Sequence, residues 1–172
     1  MYKRQYTHYE RAFEGYLQTL ELPYVAVDQA KKALLSGSRV KSFDFILYPR
    51  RDEKLLVDVK GRKLSWDAYQ QGRCGQTWIT EADLEGLDCW ERIFGDGYRS
   101  MFAFVWWLHD VDMFAGDGDD VFTFEGRYYI FNLVDLPAYR RHARPRSLRW
   151  RTLFVSAKIF PSLATPLKDM LS

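Results

Sequence analysis

Apolar residues at helical spacing open the chain. Tyr9, Phe13, Tyr16, Leu17 and Leu20 form one stripe, Thr7 stands where an N-cap would, and Pro23 ends the run, which together predict a helix. Tyr24 to Val27 is short and apolar and predicts a first strand. Phe43 to Tyr48 and Lys54 to Lys60 predict two more, and the gap Pro49-Arg50-Arg51-Asp52-Glu53 between them suits a hairpin. After a polar stretch from Gly61 to Thr80, residues Asp83 to Phe94 predict a helix with Leu84, Leu87, Trp90 and Phe94 on one side. Ser100 to Leu108 predicts a buried strand. Val121 to Glu125 and Arg127 to Phe131 predict a hairpin turning at Glu125-Gly126, followed by a short helix near Leu136 to His142, a strand near Leu153 to Lys158 and a helical turn near Pro166 to Leu171. The order α-β-β-β-α-β-β-β predicts an α/β or mixed α+β fold, a central mixed sheet flanked by helices.

Composition narrows the class. The 172 residues fit a single domain, 1–172, and no repeat, low-complexity tract or Pro/Gly linker divides them. With 47% hydrophobic and 28% charged residues, the chain has the balance of a soluble globular protein rather than a disordered one. The 17% aromatic share is high enough to fill a core and still leave rings for stacking on bases, two uses that composition does not divide. A net charge of +2 is too small to announce a nucleic-acid binder, so the distribution of charge matters more than its total. Cys74 and Cys89 form neither a disulfide framework nor a zinc spacing and read as structural thiols. The amino terminus runs straight into the helical pattern without a signal region, and the longest apolar run, Met101 to Leu108, is too short to span a bilayer. A cytoplasmic location without membrane association is expected.

The chemistry concentrates in Phe43-Asp44-Phe45 and Val57-Asp58-Val59-Lys60-Gly61. On a strand, Leu55, Val57 and Val59 share one face, and Leu56, Asp58 and Lys60 the other. An antiparallel register centred on Arg51 sets Leu47 opposite Leu55 and Asp44 opposite Asp58. Facing side chains lie about 5 Å apart, and two carboxylates that close repel unless a cation lies between them. A hard divalent ion suits such a pair, with positions left for water and phosphate, and the backbone carbonyl of Val59 could add a ligand. Lys60 could orient an attacking water or stabilise negative charge developing on phosphate. An acid-x-lysine triplet alone more often marks a solvated strand face or a surface ion pair. The buried-type strand, the aspartate on the preceding strand and the hairpin-length gap favour the catalytic reading here.

This combination resembles the PD-(D/E)xK nuclease superfamily, which includes restriction endonucleases and archaeal-type Holliday junction resolvases. Phe43 stands in place of the proline, without removing a ligand. The motifs cover about the first 60 residues, and the remainder matches by element order alone. The resemblance implies a restriction-endonuclease-like core and Mg²⁺- or Mn²⁺-dependent phosphodiester cleavage, with Asp44 and Asp58 as ligands and Lys60 as the catalytic lysine. It also implies an acid on the first helix, for which Glu10 and Glu14 are the candidates. Glu10 better matches the resolvase-like pattern, three positions before Phe13. Thr7-His8-Tyr9-Glu10 is also a capping box that would occupy its carboxylate, and Glu14 also reads as an ordinary solvated helix position, so both stay open. The opening His8-Tyr9-Glu10-Arg11-Ala12-Phe13-Glu14 is similar to an uncharacterised bacterial group named for its His-Tyr-Glu start (HYExE), which implies no activity.

Two basic clusters could contact a substrate. Arg140, Arg141, Arg144, Arg146, Arg149 and Arg151 form a run, with His142 and Trp150 among them, that could neutralise phosphates or serve as a solubilising face. Arg62, Lys63 and Arg73 are interspersed with Trp66, Tyr69 and Trp78, an arrangement that could grip nucleic acid or simply pack into the core. Asp110, Asp112, Asp117, Asp119 and Asp120 form an acidic loop that fails the EF-hand pattern at Phe114 and Val121. His8 and His109 read as structural. No P-loop, dinucleotide fingerprint, H-E-x-x-H or G-x-S-x-G is present. The expected function is a nuclease acting on DNA in repair, recombination or defence, and a homodimer would suit duplex substrates. The alternatives are a non-catalytic nucleic-acid-binding module on a nuclease-like fold and a structural interaction domain.

Overall fold

Thr7 caps the first helix, α1 (His8–Thr19), and closes a capping box with Glu10, whose carboxylate accepts the Thr7 N–H at 3.1 Å. Ala12, Phe13 and Leu17 form its buried stripe. The computed structural model describes residues 7–28, 40–111 and 120–170. Asp112, Asp117 and Asp119 of the acidic loop lie outside the described residues.

Strands β1 (Tyr24–Ala26), β2 (Phe45–Leu47) and β3 (Lys54–Ser65) pair antiparallel in sequence. The chain then crosses over through α2 (Trp66–Gln70), β4 (Ile79–Thr80) and α3 (Glu81–Phe94) to β5 (Tyr98–His109), which runs parallel to β3. β6 (Phe122–Phe124) and β7 (Arg127–Asp135) follow as a hairpin. Glu125 and Gly126 turn it with φ of 47° and 75°, the left-handed pair that such tight hairpins require. After α4 (Leu136–His142), β8 (Arg144–Ser147) and β9 (Thr152–Phe154), a short helix α5 (Phe160–Leu163) leads to β10 (Thr165–Pro166) and a 3₁₀ turn, Leu167–Met170.

Among the described residues the main sheet has seven strands in the order β1-β2-β3-β5-β7-β10, with β6 on β7, and β4-β9-β8 form a separate three-stranded sheet. Each face of the main sheet has its own core. On one, Ala12, Phe13 and Leu17 of α1 pack against Phe45, Leu47, Leu55, Val57, Met101, Ala103 and Val105. On the other, Leu87 and Trp90 of α3, Leu136 and Tyr139 of α4, Val155 and Phe160 pack against Leu56, Phe102, Phe104 and Trp106. This is the mixed α+β architecture the element order predicts, a central mixed sheet between helices.

The differences from expectation follow from pairing. Gly61 to Ser65, read as the start of a polar stretch after the predicted strand, extend β3 because β5 supplies a partner for each residue as far as Ser65↔His109. Helix α3 starts two residues early because Thr80, not the residue before Asp83, is its cap. The Arg144–Ser147 strand was unpredicted, since Arg-Pro-Arg-Ser shows no apolar alternation, and β9 is shorter than the predicted Leu153 to Lys158. Among the described residues no helix is long and apolar enough to cross a membrane.

Candidate active site

Loop length and pleat together build the site. The β2–β3 register pairs Leu47 with Leu55 and Phe45 with Val57, so the next positions outward are Asp44 and Asp58. The Asp44 N–H still donates to the Val57 carbonyl at 2.9 Å, holding the residue in line beyond the end of β2. Its carboxylate replaces the missing strand partner by accepting the Val59 N–H at 2.7 Å. A residue's N–H and C=O leave a strand along the same edge, so the Val59 carbonyl faces this gap too. Asp44 and Asp58 are 2% and 6% exposed, and their carboxyls hydrogen-bond to each other.

Lys60, one step along the same face of β3, is the cation of the cluster. Its Nζ lies 2.9 Å from Asp58 Oδ2 and 2.9 Å from Asp83 Oδ2. Asp83 comes from the first turn of α3, where it completes a second capping box: its N–H donates to Thr80 Oγ1 at 3.0 Å and its Oδ2 accepts the Thr80 N–H at 2.8 Å. The Lys41 ammonium pairs with its other oxygen. Asp83 is 3% exposed. The sequence reading missed it. Thr80-Glu81-Ala82-Asp83 could have marked the helix start, but nothing local indicates that this end of α3 meets Lys60.

Burial and charge set three different protonation preferences. Burial, reinforced by the charges of Asp44 and Asp83, pushes Asp58 up to about 7 despite Lys60 beside it. Burial would also raise Asp83, but Lys60, Lys41 and the Thr80 N–H outweigh it and hold the carboxyl down to about 2. Burial alone would lower Lys60, yet Asp58 and Asp83 hold its ammonium above the ordinary lysine range. Asp83 and Lys60 are therefore a firm ion pair, and Asp58 is the carboxyl whose charge lacks full compensation. A divalent cation takes oxygen ligands, and Asp44, Asp58 and the Val59 carbonyl are the oxygens here that could hold one. Among the described residues no three His, Cys, Asp or Glu side chains gather as a ready-made metal cage.

The helix acids Glu10 and Glu14 come from a different element. Helix α1 packs on the opposite face of the sheet from Asp58 and Lys60. Glu10 closes the α1 capping box, and Glu14 accepts the Tyr24 hydroxyl at 2.8 Å. The end of α1 nonetheless touches β3 just past the lysine: a Cβ on Gly61 would lie 2.2 Å from the Tyr9 ring, so only glycine permits this approach. Arg62 continues the Asp58–Lys60 face. Its guanidinium sits 4.3 Å from the Trp78 ring centroid and donates to the Trp78 carbonyl at 2.5 Å. Lys63 points to the other face, 5.1 Å from the Trp107 ring, and Arg73 is exposed on the loop after α2.

The arginine run is divided among three elements. Arg140 and Arg141 lie on α4, Arg144 and Arg146 on β8, and Arg149 and Arg151 on the β8–β9 turn. Arg140 pairs with Asp88 at 3.2 Å and Arg151 with Glu81 at 2.8 Å, so these two already have carboxylate partners. Arg146 instead approaches the Trp78 ring, 5.3 Å from its centroid, and meets Arg62 there.

No family model matches the chain, and neither does any curated protein. Its fold is similar to that of Hjc from Archaeoglobus fulgidus, a Holliday junction resolvase from an archaeal hyperthermophile. The TM-score is 0.58 over 97% of this chain and 100% of that one, at 13% identity. The likeness is one of fold. The shared fold surrounds a cluster of buried carboxylates and lysine.

Proposed function

We propose that the chain is a metal-dependent nuclease of the PD-(D/E)xK type, one domain over residues 1–172, hydrolysing phosphodiester bonds of DNA in the cytoplasm. The observation that carries this reading is the placement of the Lys60 ammonium, 2.9 Å from Asp58 and beside the hydrogen-bonded Asp44–Asp58 pair. A purely structural ion pair has no need of a second buried carboxyl against the first. Bound at Asp44, Asp58 and the Val59 carbonyl, Mg²⁺ or Mn²⁺ would supply Lewis acidity toward the phosphate and lower the pKa of a bound water.

The protein's own groups account for the rest. Lys60 is held charged and aimed by Asp83, so it can orient the attacking water or hold negative charge growing on a non-bridging phosphate oxygen. Asp83 acts through Lys60 and is a positioning residue. A cleft of about 600 Å³, lined by Tyr9, Gly61, Arg62, Gln76 and His109 among others, borders β3 from the residue after Lys60 onward. The resolvase-like fold supports DNA as the substrate.

The test is cleavage of labelled single-stranded, duplex and branched DNA with Mg²⁺ or Mn²⁺. Activity that disappears in Asp58→Ala and Lys60→Ala while circular dichroism stays unchanged is the expected result. Wild-type protein that cuts no DNA or RNA form with either ion ends the reading. One observation favours a second function, a non-catalytic nucleic-acid-binding module: the helix acid Glu10 is engaged at its own helix end rather than beside Asp58. That reading expects salt-sensitive binding that survives Asp58→Ala without cleavage.

A further inference from the structure

The turn that joins β8 to β9 has an unusual surface for its position. Tight surface turns are ordinarily polar, yet Leu148 is 85% exposed and Trp150 68%, the two most exposed large hydrophobic side chains among the described residues. The turn is tied down rather than loose. Trp150 N–H donates to Ser147 Oγ at 3.2 Å and Arg151 N–H to the Leu148 carbonyl at 3.4 Å. The Arg151 side chain is anchored on Glu81, and its carbonyl accepts the Glu81 N–H at 2.9 Å. Arg151 holds this shape at φ 48°, a left-handed conformation that costs a non-glycine residue energy. The fold therefore holds an aliphatic and an indole side chain out in solvent on a rigid support.

Charge around the turn indicates what it meets. Arg149 lies 5.2 Å from the Trp150 ring centroid, and Arg141, Arg144, Arg146 and Arg149 are exposed without a carboxylate ion pair among the described residues. The basic strip continues to the candidate active site: Arg146 and Arg62 share the Trp78 ring, and Arg62 is two residues from Lys60 on one face of β3. A protein partner would have to bring several carboxylates and an apolar pocket together. A nucleic-acid strand has both chemistries built in, phosphates for the arginines and base faces for the indole.

We propose that the Leu148–Trp150 turn is a wedge that enters the base stack of nucleic acid, with Trp150 stacking on an unstacked base and Leu148 filling the opened step, while Arg144, Arg146 and Arg149 hold the adjacent phosphates. Apolar side chains flanked by arginines act in this way where stacking is broken. The wedge rests on the nucleic-acid part of the function proposed above and is independent of catalysis.

Equilibrium binding of the full chain to a fluorescein-labelled 20-nucleotide single strand and to the matching duplex, with EDTA present so that nothing is cut, tests it. Trp150→Ala is expected to weaken single-strand binding about tenfold, and Trp150→Phe to restore most of it. Neither should change the slope of log affinity against log salt, because no phosphate contact is lost. A paired Arg144→Gln/Arg146→Gln variant should make that slope shallower. Trp150→Ala and Leu148→Ser proteins that bind the single strand like wild type would overturn the wedge alone. Wild-type protein that binds neither probe would overturn the nucleic-acid reading as well. Sedimentation showing that Trp150→Ala instead dissolves a dimer would reassign the turn to contact between copies of the chain.

Discussion

The two faces of β3 carry nearly the same number of buried side chains and solve opposite problems. Toward α1, Leu55 and Val57 meet Phe13 and Leu17 in a wholly apolar layer. Toward α3, Leu56 is followed by Asp58, Lys60 and Arg62, and each charge needs a partner because water has been removed. The first face could be built by any well-packed helix. The second requires a particular residue at a particular helix end, Asp83, and sets the Lys60 charge beside Asp58 against burial and two neighbouring carboxylates. Burial is apolar on one side of the sheet, and buried charge is concentrated on the other, where the proposed chemistry lies.

The largest effect should come from the apolar face. Phe13→Ala removes a fully buried ring and is expected to cost about 3–5 kcal/mol in denaturant unfolding, with the cleavage rate per folded molecule retained. A cleavage loss at constant folded fraction would break the division between the two faces. Asp83→Asn leaves Lys60 and Lys41 short of a buried counter-charge, so about 3 kcal/mol of stability should be lost. Cleavage should fall as well, while DNA affinity in EDTA remains. Loss of affinity in step with cleavage would count against a positioning role.

Gly61→Ala sharpens the comparison at the one point where α1 reaches the charged half of β3. The added methyl meets the Tyr9 ring and should cost about 1–3 kcal/mol by overpacking, measured as a lowered urea midpoint. The smallest and most specific signal is in pH. Asp58 is raised from 3.8 to about 7 in the fold, so the stability of its neutral form is complete below pH 3.8 and is lost as pH rises through about 7. Asp83 is lowered to about 2, so its contribution is complete above pH 3.8 and is lost as pH falls toward 2. Denaturant midpoints should therefore decline between pH 4 and 8, and Asp58→Asn should flatten that decline. At pH 7.5, Mn²⁺ should raise the wild-type melting temperature and leave Asp58→Asn unmoved. Equal stabilisation of both proteins would remove Asp58 from the ligand set.

Much of this was legible along the chain. A five-residue gap between two alternating runs limits the hairpin register, so the pairing of Leu47 with Leu55 could be counted along the chain. The end of β3 was hidden because Gly-Arg-Lys-Leu-Ser has the composition of a loop and becomes strand only through β5 beside it. The basic run looked uniform, and packing separated it into arginines that already have carboxylate partners, Arg140 and Arg151, and arginines that remain available, Arg144, Arg146 and Arg149.

The sequence by itself determined the local geometry: which residues alternate across a strand, where helices are capped, and which register a short hairpin adopts. These depend on neighbours a few bonds away. Only the tertiary structure decided that Asp83 meets Lys60, that Arg62 and Arg146 share one tryptophan, and that Leu148 and Trp150 stand outside the core. Those contacts depend on where a long crossover and a second sheet come to rest against the first, and that is settled by packing across the whole molecule.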